Sequence, residues 1–196
     1  YASILKLSKG QWQYAAEGVR NSVGFDFHPA TQKLYFTDNG RDWLGDNSPS
    51  CELNRVDEEG LFYGFPFQHA LDIKDPEFGA MISGYDYVDP ILELGAHVAP
   101  TGIAFYDGLQ FPEEFTNNLF ITLHGSWNRS QKVGYKVIKV SLNDSGEVAT
   151  VEDFITGWLQ GEKVIGRPAA PLVISDGSLL ISDDKANVIY RISFIK

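Results

Sequence analysis

Apolar residues recur along this chain with a period of two, in short runs broken by Gly, Pro, Asn and Asp. Such alternation predicts strands, because successive side chains of a strand point to opposite faces. The predicted strands are 3–7 and 12–19, joined by the turn Lys9-Gly10, then 24–28, 34–38 and 53–57. An irregular stretch at 65–99 separates these from 102–106, 119–123, 135–142 and 149–155, and the last group is 171–175, 179–183 and 188–194. No long segment carries a helical period, and 113–117 has room for a single turn. The expected class is all-β.

Three stretches, 24–40, 102–125 and 170–184, share one plan: an apolar strand, a turn, a second strand ending in a hydroxyl residue, and a polar loop. The second strands read Leu34-Tyr35-Phe36-Thr37, Leu119-Phe120-Ile121-Thr122 and Leu179-Leu180-Ile181-Ser182. A recurring unit too small to bury its own face marks a repeat architecture, and four-stranded antiparallel units point to a β-propeller. Lettering the strands of a blade a to d from the inside, residues 1–19 supply c and d of an incomplete blade. One blade covers 20–96 with the long loop 65–99, another covers 100–157, and 166–196 lacks its outer strand, giving about three blades in a single partial propeller. Its open sheet edges would accept pairing, and a homodimer completing the ring is one expectation. A small two-sheet sandwich is the competing architecture.

Because antiparallel strands alternate in direction, the d-to-a and b-to-c loops emerge on one face. That face collects Arg20-Asn21, Asn39-Gly40-Arg41-Asp42, 97–101, 124–129, Gly166-Arg167 and 183–185, whereas 29–33, 144–147 and Asp176-Gly177 on the other face read as tight turns. Four arginines on one face suggest an anionic ligand, since the guanidinium fork pairs with carboxylates two bonds at a time. They stand out against a net charge of −10, which argues against nucleic acid as a partner. With 43% hydrophobic residues over 196 positions the chain can bury a core, and no apolar run is long enough for a membrane helix. Residues 1–10 show neither the basic start nor the apolar centre of a signal peptide. The single cysteine, Cys51, excludes an internal disulfide and is expected to pack in the core.

Together these loops carry a resemblance. Arg20-Asn21 followed by Gly24, the run 37–46, Glu52-Leu53-Asn54, Tyr63-Gly64-Phe65-Pro66, 97–102, His124-Gly125-Ser126-Trp127-Asn128-Arg129 and Gly166-Arg167-Pro168 resemble the sorbosone dehydrogenase and soluble aldose (glucose) dehydrogenase family, in the family's order, with this chain matching its C-terminal half. The resemblance implies a six-bladed propeller that binds pyrroloquinoline quinone (PQQ) and calcium and oxidises an aldose or related sugar aldehyde. It also implies a separate electron acceptor and a periplasmic or secreted location.

Carried over by residue, the resemblance makes Arg20, Asn21, His124, Arg129 and Arg167 cofactor-binding, with Arg167 on a quinone carboxylate, and assigns calcium to the backbone carbonyls of Gly40 and Arg41. Arg20-Asn21 also reads as an ordinary surface loop with an Asn-stabilised turn. Glu52 and the Tyr63 carbonyl resemble a second calcium site; a solvated acid and a core aromatic are the plainer reading. Trp127 and Arg129 are expected at the pocket rim. Asp38, Asp42 and Asp46 suggest a calcium loop, but an EF-hand spacing would put Trp43 and Pro49 at its glycine and glutamate positions.

The family's catalytic base is a histidine upstream of the Arg-Asn motif, and residues 1–19 contain none. Either that base is missing from this chain, or His97 or His124 takes its role, while His28 and His69 read as structural. Gln68-His69 also departs from the Cys-His common among relatives. Two other functions compete with sugar oxidation. One is a non-catalytic propeller serving as an interaction module; the other is a calcium-dependent lactonase, which would need a metal cage drawing on Asp38, Asn39 and Asp183.

Overall fold

The computed structural model describes residues 2–81, 84 and 86–195; Tyr1, Lys196 and three positions of the long loop, Ile82, Ser83 and Tyr85, lie outside the described residues. Strands β1 (Ser3–Ser8) and β2 (Gln11–Glu17) form a hairpin, and β3 (Phe25–Phe27), β4 (Leu34–Asp38) and β5 (Ser50–Arg55) follow. Short strands β6 (Leu61–Phe62), β7 (Gln68–His69) and β8 (Ile73–Lys74) precede β9 (Leu92–Ala96). The next sheet is built from β10 (Pro100–Phe105), β11 (Leu119–Leu123), β12 (Lys136–Leu142) and β13 (Val148–Ile155). A small hairpin of β14 (Leu159–Gln160) and β15 (Lys163–Val164) leads to β16 (Pro168–Val173), β17 (Leu179–Asp183) and β18 (Val188–Ile192).

The main sheets run β3-β4-β5-β9, β10-β11-β12-β13 and β16-β17-β18, antiparallel throughout. They are consecutive blades of a β-propeller, each meandering outward and handing the chain to the next inner strand. The predicted single turn is a 3-10 turn at Glu113–Phe115.

Each core lies between neighbouring sheets. Phe36, Val56 and Tyr63 pack with Ala15 of the first hairpin and Val19 just after it; Tyr35 and Leu53 pack with Phe105 and Ile121; Tyr106 and Phe120 pack with Leu179 and Ile181. This explains the burial of the b strands. β4 and β11 are buried at every position because each has a sheet on both faces, whereas β17, in the last sheet, keeps alternation. The inner strands converge through small residues: a Cβ on Gly102 would stand 2.6 Å from the Ala170 Cα, and one on Gly24 3.0 Å from the Gly102 Cα.

Three readings of the sequence need correction. The predicted strand 53–57 lies at Ser50–Arg55, because Cys51 and Glu52 pair with Gly95 and Glu93 of an outer strand that was read as part of the irregular stretch. β10 and β16 begin at Pro100 and Pro168, residues read as loop; the first position of a strand tolerates proline. Leu61-Phe62, not predicted as a strand, pairs in parallel with β2 and covers part of its outer edge. Cys51 is buried and free, in the core as expected.

Candidate functional site

A buried carboxylate at the end of a b strand organises two of the four arginine loops, those of Arg20 and Arg167. β4 ends in Asp38, whose Oδ2 accepts the backbone N–H of Arg20 at 2.7 Å and whose Oδ1 accepts that of Asn21 at 2.6 Å. Burial pushes the Asp38 carboxyl up to about 6, against the opposing pull of the Asn21 and Arg20 amides and the Arg20 charge. β17 ends in Asp183, whose Oδ1 accepts the backbone N–H of Arg167 at 2.9 Å. Burial would raise this carboxyl, but the amides of Ala186, Arg167 and Lys185 outweigh it and hold it below its ordinary value. The two devices are the same, and the shared Asp after Thr37 and after Ser182 was their sequence signal.

The guanidinium groups differ in what they meet. Arg20 donates to the Asn39 carbonyl at 3.0 Å and reaches Asp42 at 3.4 Å. Arg41 turns away to the buried Asp75, which also meets His69 Nε2 at 2.8 Å. Arg129 donates to Asn47 Oδ1 at 2.8 Å. Arg167 donates to the main-chain carbonyls of His124, at 3.1 Å, and Gly125, and lies over the Tyr135 ring. Among the described residues neither the Arg129 nor the Arg167 guanidinium makes an ion pair within 4.0 Å. Arg129 still acts on the carboxylate of Asp46, whereas the Arg167 guanidinium is left in a state that suits an anion.

The loops of neighbouring blades meet on this face. Asn128 donates to Asp42 Oδ1 at 2.8 Å, the Ser130 amide meets Asp46 at 3.2 Å, and His97 Nε2–H donates to the Gly45 carbonyl at 2.7 Å. A small cavity of about 90 Å³ opens between them, lined in part by Arg20, Asn21, Gly40, His97, Trp127 and Asn128. His124 lies toward the next blade, its Nε2 2.9 Å from Asp184 Oδ1. Thus Arg20, Asn21, Gly40 and His97 are brought together, His124 and Arg167 form a neighbouring group, and the Arg41 side chain belongs to neither. His28 and His69 are structural: His28 Nδ1 accepts the amides of Ala30 and Thr31, and His69 is buried against Asp75.

Glu52 is buried on β5, not solvated. Its carboxylate accepts the Ala70 amide at 2.7 Å and the Asn54 side-chain amide at 2.9 Å, and burial pushes it up to about 7. Among the described residues the buried Asn54 Oδ1 has no hydrogen-bond partner. Tyr63 packs in the core with its hydroxyl on the Arg55 carbonyl at 2.8 Å. Asp38, Asp42 and Asp46 do not converge, and among the described residues no group of three or more His, Cys, Asp or Glu side chains is placed to hold a metal.

An uncharacterized protein of Borreliella burgdorferi is 43% identical over 195 residues, which cover 98% of this chain and 52% of that protein. The Trichoderma reesei carbohydrate-active enzyme of family AA12, in its iodide structure, superposes with a TM-score of 0.73 at 22% identity, over 91% of this chain and 53% of that one. The holo form of the pyranose dehydrogenase PQQ domain from Coprinopsis cinerea gives a TM-score of 0.68 at 21% identity, over 95% of this chain and 56% of that one. The chain therefore spans about half the length of these relatives, and the structural likeness establishes the propeller fold. Residues 68–190, well over half of the chain, match the TrAA12-like family, and the chain belongs to that family.

Proposed function

We propose that this chain is the cofactor-holding portion of a sugar oxidoreductase that uses PQQ and calcium, acting on an aldose or related sugar aldehyde. The observation that carries the reading is Arg167, fixed through its backbone to Asp183 and through its guanidinium to two carbonyls, yet without an ion pair. A guanidinium so fixed suits a carboxylate of the quinone. Arg20 and Asn21, held by Asp38, would meet the cofactor from the neighbouring blade, with His124 and Arg129 beside them. The Gly40 and Arg41 carbonyls would serve its calcium, and calcium accepts such oxygens readily.

Glu52 with the orphaned Asn54 Oδ1 gives a second, buried set of hard oxygen donors, and this fits a structural calcium involving the Tyr63 carbonyl. When bound, PQQ supplies the two-electron acceptor and calcium the Lewis acid that polarises it. This chain's own contribution is to bind and orient. His97 donates Nε2–H to Gly45 and His124 faces Asp184, so each imidazole already has a fixed partner and neither is assigned the base.

The finer kinship to sorbosone and aldose dehydrogenases, the C-terminal-half position, the blade boundaries, the periplasmic or secreted location and a separate electron acceptor belong to this proposal. So does a second copy that pairs its edge strands with this one to complete the ring. No described helix is long and apolar enough to cross a membrane. Arg167→Ala is expected to weaken PQQ binding at least about tenfold by calorimetry, the scale of one charge-assisted contact. Arg55→Ala, on the opposite face, should leave it unchanged; equal affinity in Arg167→Ala would favour the interaction-module reading.

A further inference from the structure

On the face opposite the candidate site, a cavity of about 460 Å³ opens between two neighbouring sheets, a volume within the range of small-ligand sites. The turn between β3 and β4, the residues before β11 and the turn between β12 and β13 bound it, and His28, Asn117, Asn143 and Asp144 are on its lining. His28 is 9% exposed. Its ring lies 4.9 Å from that of Phe105, and its Nδ1 accepts the amides of Ala30 at 3.2 Å and Thr31 at 3.3 Å. A ring nitrogen that accepts N–H groups carries no proton, so the proton of the neutral imidazole sits on Nε2. Burial pushes the ring's pKa down, which favours this neutral form. Among the described residues Nε2–H has no partner, and a donor held so deeply calls for an acceptor.

We propose that this cavity binds a short uncharged peptide through one of its main-chain amide groups. The lining carries both halves of that recognition. Asn143 Oδ1 is committed to its own turn, where it accepts the amides of Ser145 at 3.1 Å and Glu147 at 3.0 Å and the Ser145 hydroxyl at 2.7 Å. Its Nδ2 therefore remains to donate, and with His28 Nε2–H it suits a carbonyl oxygen. The Asn117 side chain and the Asp144 carboxylate have no partner among the described residues and can accept the N–H of the same peptide group. Ala30 and Leu142 give a small aliphatic side chain an apolar wall. Other ligands meet this lining less well. A metal-bound imidazole donates its second nitrogen's proton, whereas Nδ1 here accepts. An anion would face Asp144, because the lining ammonium of Lys33 is already paired with Asp57. A cation would face two donors, and Tyr35, 1% exposed, presents no ring on which a cyclic sugar could rest.

The test is NMR titration of the isotope-labelled full chain with N-acetylated, C-amidated tripeptides built from Gly, Ala, Ser and Leu. At least one should bind saturably and move the backbone amide resonances of Thr31, Asn117 and Ser145 together. His28→Asn keeps an acceptor for the turn and loses the Nε2 donor. Asn117→Gly removes an unpartnered side chain at a φ of +61°, which glycine adopts without strain. Each should weaken the peptide about tenfold, the scale of one hydrogen bond. If His28→Asn lowers the melting temperature, Asn117→Gly decides. Trp12→Ala, exposed on β2, should bind as the parent does. No movement with any tripeptide, movement only outside the cavity, full affinity in Asn117→Gly, or equal shifts from sodium acetate or maltose would overturn the proposal. The titration needs neither PQQ nor calcium, so its failure leaves the cofactor reading standing.

Discussion

Thr37, Thr122 and Ser182 occupy the same place in the repeated b strand, and each bonds an inner strand. Thr37 donates to the Pro100 carbonyl at 3.2 Å; Thr122 donates to the Ala169 carbonyl at 2.8 Å and accepts the Gly102 amide at 2.9 Å; Ser182 accepts the Ala170 amide at 3.0 Å. The first two tie one blade to the inner strand of the next. Thr122→Val keeps the shape but strands the buried Gly102 amide, while the Ala169 carbonyl keeps the Thr101 hydroxyl at 2.7 Å; the substitution should cost about 1–3 kcal/mol in urea unfolding. Glu52 adds a pH dependence. Its folded-state proton affinity, about 7 against an ordinary 4.5, favours the protonated form in the folded chain. Stability from this group is therefore fully present below about pH 4.5 and is lost as pH rises through about 7, on the order of 3 kcal/mol in all. Glu52→Gln should abolish that loss, since the Asn54 amide can turn its unpaired oxygen toward the new donor. Thermal scans without calcium should show the variant more stable than the parent at pH 8 and similar to it at pH 4; parallel pH profiles would contradict the assignment.

Among the elements, the alternating strands and the hydroxyl repeat were legible from the sequence, because each is a local pattern. The outer strand Leu92–Ala96 was not, since it carries little β-branched character and exists through pairing with β5, far away in the chain. The site was legible in part. Arg20, Asn21 and Gly40 were singled out with their motifs and line one cavity in the fold, but the buried anchors Asp38 and Asp183 work through backbone amides brought close only by the fold. The hairpin of β7 and β8 teaches the same lesson: Asp75 gathers Arg41, His69 and the amides of Glu77 and Phe78, and so fixes that hairpin against the loop bearing Gly40. Asp75→Ala leaves a guanidinium and a buried imidazole without their partner and should cost about 3 kcal/mol. Amide hydrogen exchange should quicken first in 68–78; protection unchanged there would show that Asp75 is not the anchor.

At the scale of the whole molecule, the candidate site lies on one face and the open sheet edges lie at β1 and β18. Tight turns and interblade ties such as Tyr106 to the Gly177 carbonyl at 2.7 Å occupy the opposite face. β1 and β18 are edge strands, and Leu5, Leu7, Ile189 and Tyr190 on them are exposed. Edges of this kind invite pairing, so sedimentation velocity at micromolar concentration should reveal self-association, and a stable monomer would contradict ring completion by a second copy. The propeller brings the Arg20 and Arg167 loops onto one face from blades far apart in sequence, each on its own buried aspartate. That shared cradle is the central claim, and the most direct measurement is titration of the purified chain with PQQ in calcium and in chelator. Saturable binding that requires calcium is the predicted result; binding that is absent, or indifferent to calcium, would contradict it.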